Sequence, residues 1–157
     1  MNGRIIVITL LGLAVAFGAA LWYFQTLAYY EDVPAEAVEL RLTRVGGGET
    51  QPMMADEIVA TDAGTSPLKF RACFTTSMDL AMLTETYEIY DAAEPLTAPY
   101  WFDCFDAEAI ARDLAAGRAV AFMGQREIAE GADRVIAVYA DGRAYAWHQL
   151  NEKYAEQ

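Results

Sequence analysis

The chain has 157 residues, 11 of them basic and 23 acidic, for a formal net charge of −12; that is room for one ordinary domain plus an anchor, not for two cores. Every acid lies beyond residue 30, and of the basic residues only Arg4 precedes it. A surface of that sign repels phosphate backbones and anionic headgroups, which argues against nucleic acid as a partner; it reads first as solubility, with a basic protein partner as the alternative.

Residues 5–24, IIVITLLGLAVAFGAALWYF, carry no charge and have no polar face, unlike a core helix of a soluble protein. Twenty residues at about 1.5 Å each span about 30 Å, the hydrocarbon thickness of a bilayer. Trp22, Tyr23, Tyr29 and Tyr30 gather at the C-terminal end, where amphipathic rings favour the headgroup layer. Arg4 and the terminal amine on one side, with Glu31 and Asp32 on the other, orient the N-terminus to the cytoplasm and export the rest. The expected division is an anchor over 1–30 and an exported acidic domain over 31–157. Gly18-Ala19-Ala20 also offers a signal-peptide cleavage site; the apolar run continuing to Phe24 favours a retained anchor. Gly12, Ala16 and Ala19 form a small-residue stripe on which a second membrane helix could pack, although Gly and Ala are common in any membrane helix.

In the exported part, Thr26 to Ala35 reads as a connector. Val38, Leu40 and Leu42 alternate with polar neighbours as in a half-buried strand, and Gly46-Gly47-Gly48 makes a flexible turn. Met53 to Gly64 is ambiguous, with Ile58 and Val59 as the buried pair. Leu68 to Phe74 reads as a strand with Leu68, Phe70, Ala72 and Phe74 on one face. Thr76 with Asp79 resembles a capping box that starts a helix over Ser77 to Leu83. Tyr87 to Tyr90 is extended, and Pro95 and Pro99 bracket a loop that ends in Tyr100-Trp101-Phe102. Asp106 is placed to cap a helix carrying Ala107, Ile110, Ala111 and Leu114, which Gly117 stops. Arg118 to Met123 is strand-like. Val135 to Ala140 and Arg143 to His148 flank Asp141-Gly142 as a two-residue hairpin, which pairs Val138 with Tyr145 and Ile136 with Trp147 on the core face. The fold class is α+β: one N-terminal transmembrane helix followed by a mostly antiparallel sheet of about five strands with one or two packed helices.

Cys73 and Cys104 are the two cysteines; in an exported domain the pair reads first as a disulfide, with buried free thiols and a redox dithiol as alternatives. His148 is the single histidine, too little for a histidine-rich metal site, and the hairpin register puts it on the solvent side. Neither Asp103, Asp106 and Glu108 nor Asp56, Glu57 and Asp62 has the spacing of a calcium loop. No serine sits in a nucleophile-elbow context. Neither a cofactor nor a catalytic or metal site is expected. Tyr100, Trp101 and Phe102, with Phe105, are either core packing beside the cysteines or a patch for a partner or membrane surface.

The segments AALWYFQTLAYYE, LKFRACFTT, PYWFDCFDAEAI and DGRAYAWHQ together resemble a family of small, uncharacterised bacterial proteins with a single N-terminal membrane helix and a periplasmic domain. The resemblance implies an inner-membrane location and no assigned activity. It also implies that relatives continue into a longer cysteine-containing tail, so that here Cys73 and Cys104 are each other's intramolecular partners. Three functions compete: a non-catalytic accessory or assembly subunit meeting a membrane-protein partner or a second copy of itself, a periplasmic ligand-binding or sensing module, and an envelope thiol enzyme.

Overall fold

A computed structural model describes residues 2–46 and 48–155. The chain divides into two units, residues 1–30 and 31–157.

In the first unit, α1 (Gly3–Thr26) runs two residues past the charge-free segment at each end. None of its side chains is buried, and Val15 and Phe17 are each 72% exposed. By length and composition α1 could cross a membrane. Thr26 Oγ1 donates to the Trp22 carbonyl at 2.7 Å and closes the last turn, and the Phe24 ring stacks on Tyr29 with centroids 6.0 Å apart.

The second unit is α+β, as the sequence implies, and its sheet is antiparallel at every pairing. β1 (Glu31–Val33), β2 (Arg41–Thr43), β3 (Thr50–Pro52), β4 (Asp56–Asp62) and β5 (Arg71–Thr75) come first, followed by α2 (Leu80–Thr86) and α3 (Ala107–Ala115). Then come β6 (Ala119–Ala129), β7 (Ala132–Tyr139), β8 (Arg143–Leu150) and the short α4 (Glu152–Ala155). Six strands form one sheet in the order β1-β4-β5-β8-β7-β6, and β2-β3 form a separate ribbon. Gly47, the centre of the expected glycine turn between β2 and β3, lies outside the described residues.

The ribbon is fastened to the sheet through Tyr87–Tyr90. Glu88 N donates to the Thr43 carbonyl at 2.9 Å, while Met123 N donates to the Glu88 carbonyl and Tyr90 N to the Ala121 carbonyl, each at 2.8 Å. The edge of β6 is thereby partly paired, which hides ladder groups that would otherwise invite another strand.

Both faces of the central strands are buried. One face carries Ala72, Phe74, Ile136, Val138 and Ala146 beneath Leu40, Leu42, Leu83 and Tyr87. The other carries Cys73, Val135, Ala137 and Trp147 beneath Phe102, Phe105 and Ile110. With two covered faces, alternation no longer separates core from solvent, and several expectations shift for that reason.

The hairpin is one. Gly142 N donates to the Tyr139 carbonyl at 3.0 Å and Gly142 sits at φ +88°, which makes a three-residue loop ending in a left-handed glycine. Ile136 therefore pairs with Ala146 and Val138 with Ala144, and Trp147 faces Val135 instead of Ile136. The one-residue slip sends the two aromatic residues to the opposite face. It also sends His148 inward, where it is 4% exposed rather than on the surface.

Val59 is 55% exposed, against expectation, and Ala60 and Thr61 are buried in its place. A bulge between Asp56 and Val59, with Glu57 at φ +53°, resets the alternation. Leu68 lies in a 3-10 turn, not in a strand, because Ser66 Oγ accepts from Leu68 N and Pro67 occupies the first helical position. The helix expected from Ser77 begins at Leu80, capped by Asp79, whose Oδ1 accepts from Met82 N at 3.1 Å; Thr76 Oγ1 caps only a turn, through Met78 N. Asp106 and Gly117 act as anticipated: Asp106 Oδ1 accepts from Ala109 N at 2.9 Å, and Gly117 follows α3 at φ +68°.

Candidate functional site

The long irregular connection from α2 to α3 is held to the sheet by side chains of β5 and β8. Cys73 on β5 is bonded to Cys104 with Cα atoms 6.3 Å apart, within the reach a disulfide requires. Two positions before it, Arg71 is 3% exposed. Its Nε donates to the Leu96 carbonyl at 2.7 Å and its Nη2 to the Thr97 carbonyl at 3.1 Å, while Nη1 serves the carbonyls of Leu68 and Phe70. Gln149 on β8 accepts from Glu94 N at 2.8 Å and donates to the Ala92 carbonyl at 2.9 Å. Its Oε1 also accepts from Trp147 Nε1 at 3.0 Å, so both the oxygen and the nitrogen of the amide are engaged. Sequence reading missed both anchors; a charged residue between Phe70 and Ala72 in an apolar strand was the available signal.

The aromatic run separates by burial. Phe102 is 6% and Phe105 5% exposed, so Phe102 is core and not the surface contact anticipated for it. Phe105 meets Trp147 edge-on at 6.2 Å and Tyr145 at 5.9 Å. Tyr100 is 65% exposed and Trp101 half-buried. Beside them a groove of about 470 Å³ is lined by Val33, Val59, Trp101 and Cys104 among others. Gly12, Ala16 and Ala19 are all exposed on α1, and four- and three-residue steps bring them to one face.

His148 is committed elsewhere. Its Nδ1 lies 2.6 Å from the Pro67 carbonyl and its Nε2 accepts from Arg134 Nε at 3.0 Å. Burial and then the Arg134 charge push its pKa down to about 3, so it is neutral and unavailable as a proton acceptor near pH 7.

A second concavity, about 460 Å³, opens between the Glu88–Ala92 segment, the Met123–Glu127 part of β6 and the start of α4. Its floor is polar. Asp133, 5% exposed, accepts at Oδ1 from Glu127 N at 2.9 Å and from Asn151 Nδ2 at 3.3 Å. Glu127 sits at φ +49°, an unusual conformation for a non-glycine residue, and its Oε1 accepts from Asn151 Nδ2 at 2.9 Å and from Lys153 Nζ at 2.6 Å. Burial, followed by the Asp133 charge, raises the Tyr90 pKa. Among the described residues no group of three or more His, Cys, Asp or Glu side chains could hold a metal ion. Neither Asn151 nor this floor was singled out by sequence, because its parts come from three separate segments.

Fold and cross-link together define a class: a single apolar N-terminal helix joined to an α+β domain with a disulfide, the latter suggesting an oxidising compartment. The chain belongs to the DUF6446 family, a family of unknown function, whose model matches residues 40–157. Three of the four segments that suggested an uncharacterised family fall inside that match, and the anchor segment lies before it. No curated protein and no solved structure matches the chain.

Proposed function

We propose that this is a bacterial inner-membrane protein with its N-terminus in the cytoplasm, α1 retained as a single-pass anchor and the α+β domain in the periplasm. There it acts without catalysis, as an accessory or assembly subunit of a membrane complex. The observation that carries the reading is α1: charge-free over the length of a bilayer and without one buried side chain. The Arg4 and Glu31/Asp32 asymmetry supports the orientation, and the disulfide supports an oxidising compartment. Tyr100 and Trp101 on the domain, with Gly12, Ala16 and Ala19 on the helix, are the contacts this role would use. His148 and both cysteines, the side chains best suited to acid–base or thiol chemistry, are already engaged.

A reporter enzyme active only in the periplasm, fused after Gln157, is expected to be active, and the protein is expected to stay with membranes through an alkaline wash. Crosslinking in native membranes is expected to capture a complex. Release as a soluble species with a new N-terminus near Leu21 overturns the anchor, and recovery of monomer alone overturns the subunit role. The polar-floored cleft beside Asn151 favours a second reading, a periplasmic ligand-binding module.

A further inference from the structure

The two edges of the six-stranded sheet are finished differently. The β6 edge is partly paired by Tyr87–Tyr90, whereas β1 stops early. Its ladder with β4 ends at Val33 opposite Ala60, Pro34 has no N–H with which to continue it, and the 3-10 turn Ala35–Ala37 follows. β4 itself starts further out, at Asp56. The stretch Asp56 to Val59 therefore has β5 on one side and, among the described residues, no strand on the other.

The cover over this corner also stops short. Val59 pairs with Cys73, so it shares the face that Phe102 and Phe105 roof, yet it is 55% exposed while Cys73 is buried. A groove of about 470 Å³ remains, lined by Val33, Ile58 and Val59 from the sheet and by Trp101 from the connection. The charged residues of that lining are Asp32 and Asp103, both exposed, with no basic residue among them. Asp56 and Glu57 continue the same sign along β4, and the bulge beside them discourages indiscriminate strand pairing.

Those charges select the occupant. A second copy of this chain, itself at −12, brings the same acids to an edge-to-edge contact and is repelled, as an anionic headgroup is. A bare metal ion does not fit, because no three acidic side chains converge among the described residues. A segment offering a backbone edge, an apolar side chain and flanking cations meets all three features. Strand addition draws affinity from main-chain hydrogen bonds and specificity from pockets for alternate side chains, and opposite charges fix the register.

We propose that the β1–β4 edge docks an extended segment of a partner protein, apolar at its centre and flanked by lysine or arginine. The segment lies along Asp56 to Val59, sets an apolar side chain against Val59 and Trp101, and pairs its cations with Asp32 and Asp103. The inference rests on the accessory-subunit reading and adds the partner's chemistry.

The full chain in detergent is titrated calorimetrically with the blocked peptide Lys-Val-Phe-Val-Lys, in which alternation puts the ring and both cations on one face. The controls are its glutamate-flanked counterpart, Lys-Gly-Ser-Gly-Lys, and a fully N-methylated form of the first. Saturable binding of the first peptide alone is expected, and its absence overturns the proposal. Asp32→Asn and Asp103→Asn are each expected to weaken binding fivefold or more. Val59→Lys, at an exposed position, should abolish it at an unchanged melting temperature. Glu49→Gln and Glu85→Gln, which remove the same charge from exposed positions elsewhere, should change it less than twofold. Equal binding of Lys-Gly-Ser-Gly-Lys, or equal weakening by all four acid-to-amide variants, would mean generic attraction to an acidic protein and would overturn the proposal. Undiminished binding of the N-methylated peptide overturns it as well, since no strand is then being added. Crosslinking in native membranes separates this from the subunit reading. A complex captured equally from wild type and from Val59→Lys overturns the groove and leaves the subunit reading standing. Monomer alone from the wild type, with the peptide bound in detergent, removes the subunit reading and keeps the groove as a peptide site.

Discussion

Arg134 Nε lies 3.0 Å from His148 Nε2, and this contact fixes the histidine's tautomer. An arginine can only donate, so Nε2 is the acceptor and Nδ1 carries the proton, which it gives to the Pro67 carbonyl at 2.6 Å. The imidazole stacks on Phe70 with centroids 4.7 Å apart, and the Arg134 guanidinium sits over the same Phe70 ring at 4.5 Å. The unit joins β7, β8 and the turn before β5, and it works only while the imidazole is neutral.

Acid should therefore destabilise the domain earlier than its carboxylates alone would. The folded-state pKa of His148 is lowered to about 3 from an ordinary 6.5, so the unfolded chain binds the proton first as pH falls. The contribution is fully present above pH 6.5 and is lost progressively down to the folded value, with a slope approaching about 1.4 kcal/mol per pH unit. Urea unfolding at pH 7.5 and at pH 5.3 is expected to show that loss, and His148→Gln is expected to flatten it. Equal stability at the two pH values would mean the imidazole is not buried as described.

Trp147 and His148, adjacent on β8, should both be costly to remove. Trp147 is fully buried, meets Phe105 edge-on and bonds Gln149, so Trp147→Ala should cost about 3–5 kcal/mol. His148→Ala leaves the half-buried Arg134 donor unpaired and empties a buried site, which costs about 1–3 kcal/mol. Thermal melts of the two variants check the ranking. A silent His148→Ala would restore the two-residue hairpin register that the sequence suggested.

Intact mass after alkylation without reductant should show no label on Cys73 or Cys104. Reduction opens a cross-link spanning 31 positions and should lower stability by about 3–4 kcal/mol in the chain-entropy model. Two labelled thiols in the native protein would contradict the bond.

Two left-handed glycines make a sharper comparison. Gly142 and Gly117 both have positive φ, but a Cβ at Gly142 would lie 2.7 Å from the Thr76 carbonyl oxygen and one at Gly117 would meet nothing within 4 Å. Gly117→Ala should cost about 1–2 kcal/mol, the left-handed penalty alone. Gly142→Ala should cost more, since Thr76 N also bonds the Gly142 carbonyl at 2.8 Å and has little freedom to withdraw. Denaturant midpoints of the two variants read the difference, and equal values would show that the contact relaxes.

Some elements were legible from sequence because one local feature decides each of them. The charge-free run is α1, Asp106 and Gly117 bracket α3, and the cysteine pair is bonded. The errors fall where local pattern is ambiguous. Asp-Gly serves a two-residue or a three-residue loop, and tertiary packing, Trp147 against Phe105 on one face and His148 against Phe70 on the other, separates the two registers. Val59 turned outward because a bulge reset the alternation after Glu57. The cleft was invisible for a different reason: Tyr90, Asp133 and Asn151 are far apart in sequence and meet only once β6 and β7 are paired and the Glu88–Ala92 segment lies against β6.

The proposed docking surface can be separated from the core within a single loop. Tyr100 is exposed and Phe102 is buried two positions later, so the two rings should respond oppositely. Phe102→Ala should destabilise the domain by about 3–5 kcal/mol, as a large-to-small core change does, and should affect association only through that loss. Tyr100→Ala should leave the melting temperature within about a degree, and it should weaken crosslinking to the partner in native membranes if the ring is an interface anchor. On α1, a Cβ at Gly12 would meet nothing within 4 Å, so leucine at Gly12 and Ala16 does not disturb the helix itself. That double variant should loosen association by blocking close helix approach while the disulfide and the melting curve of the domain stay unchanged. If Tyr100→Ala and the double leucine variant both leave crosslinking at the wild-type level, neither surface carries the association and the subunit reading loses its contacts.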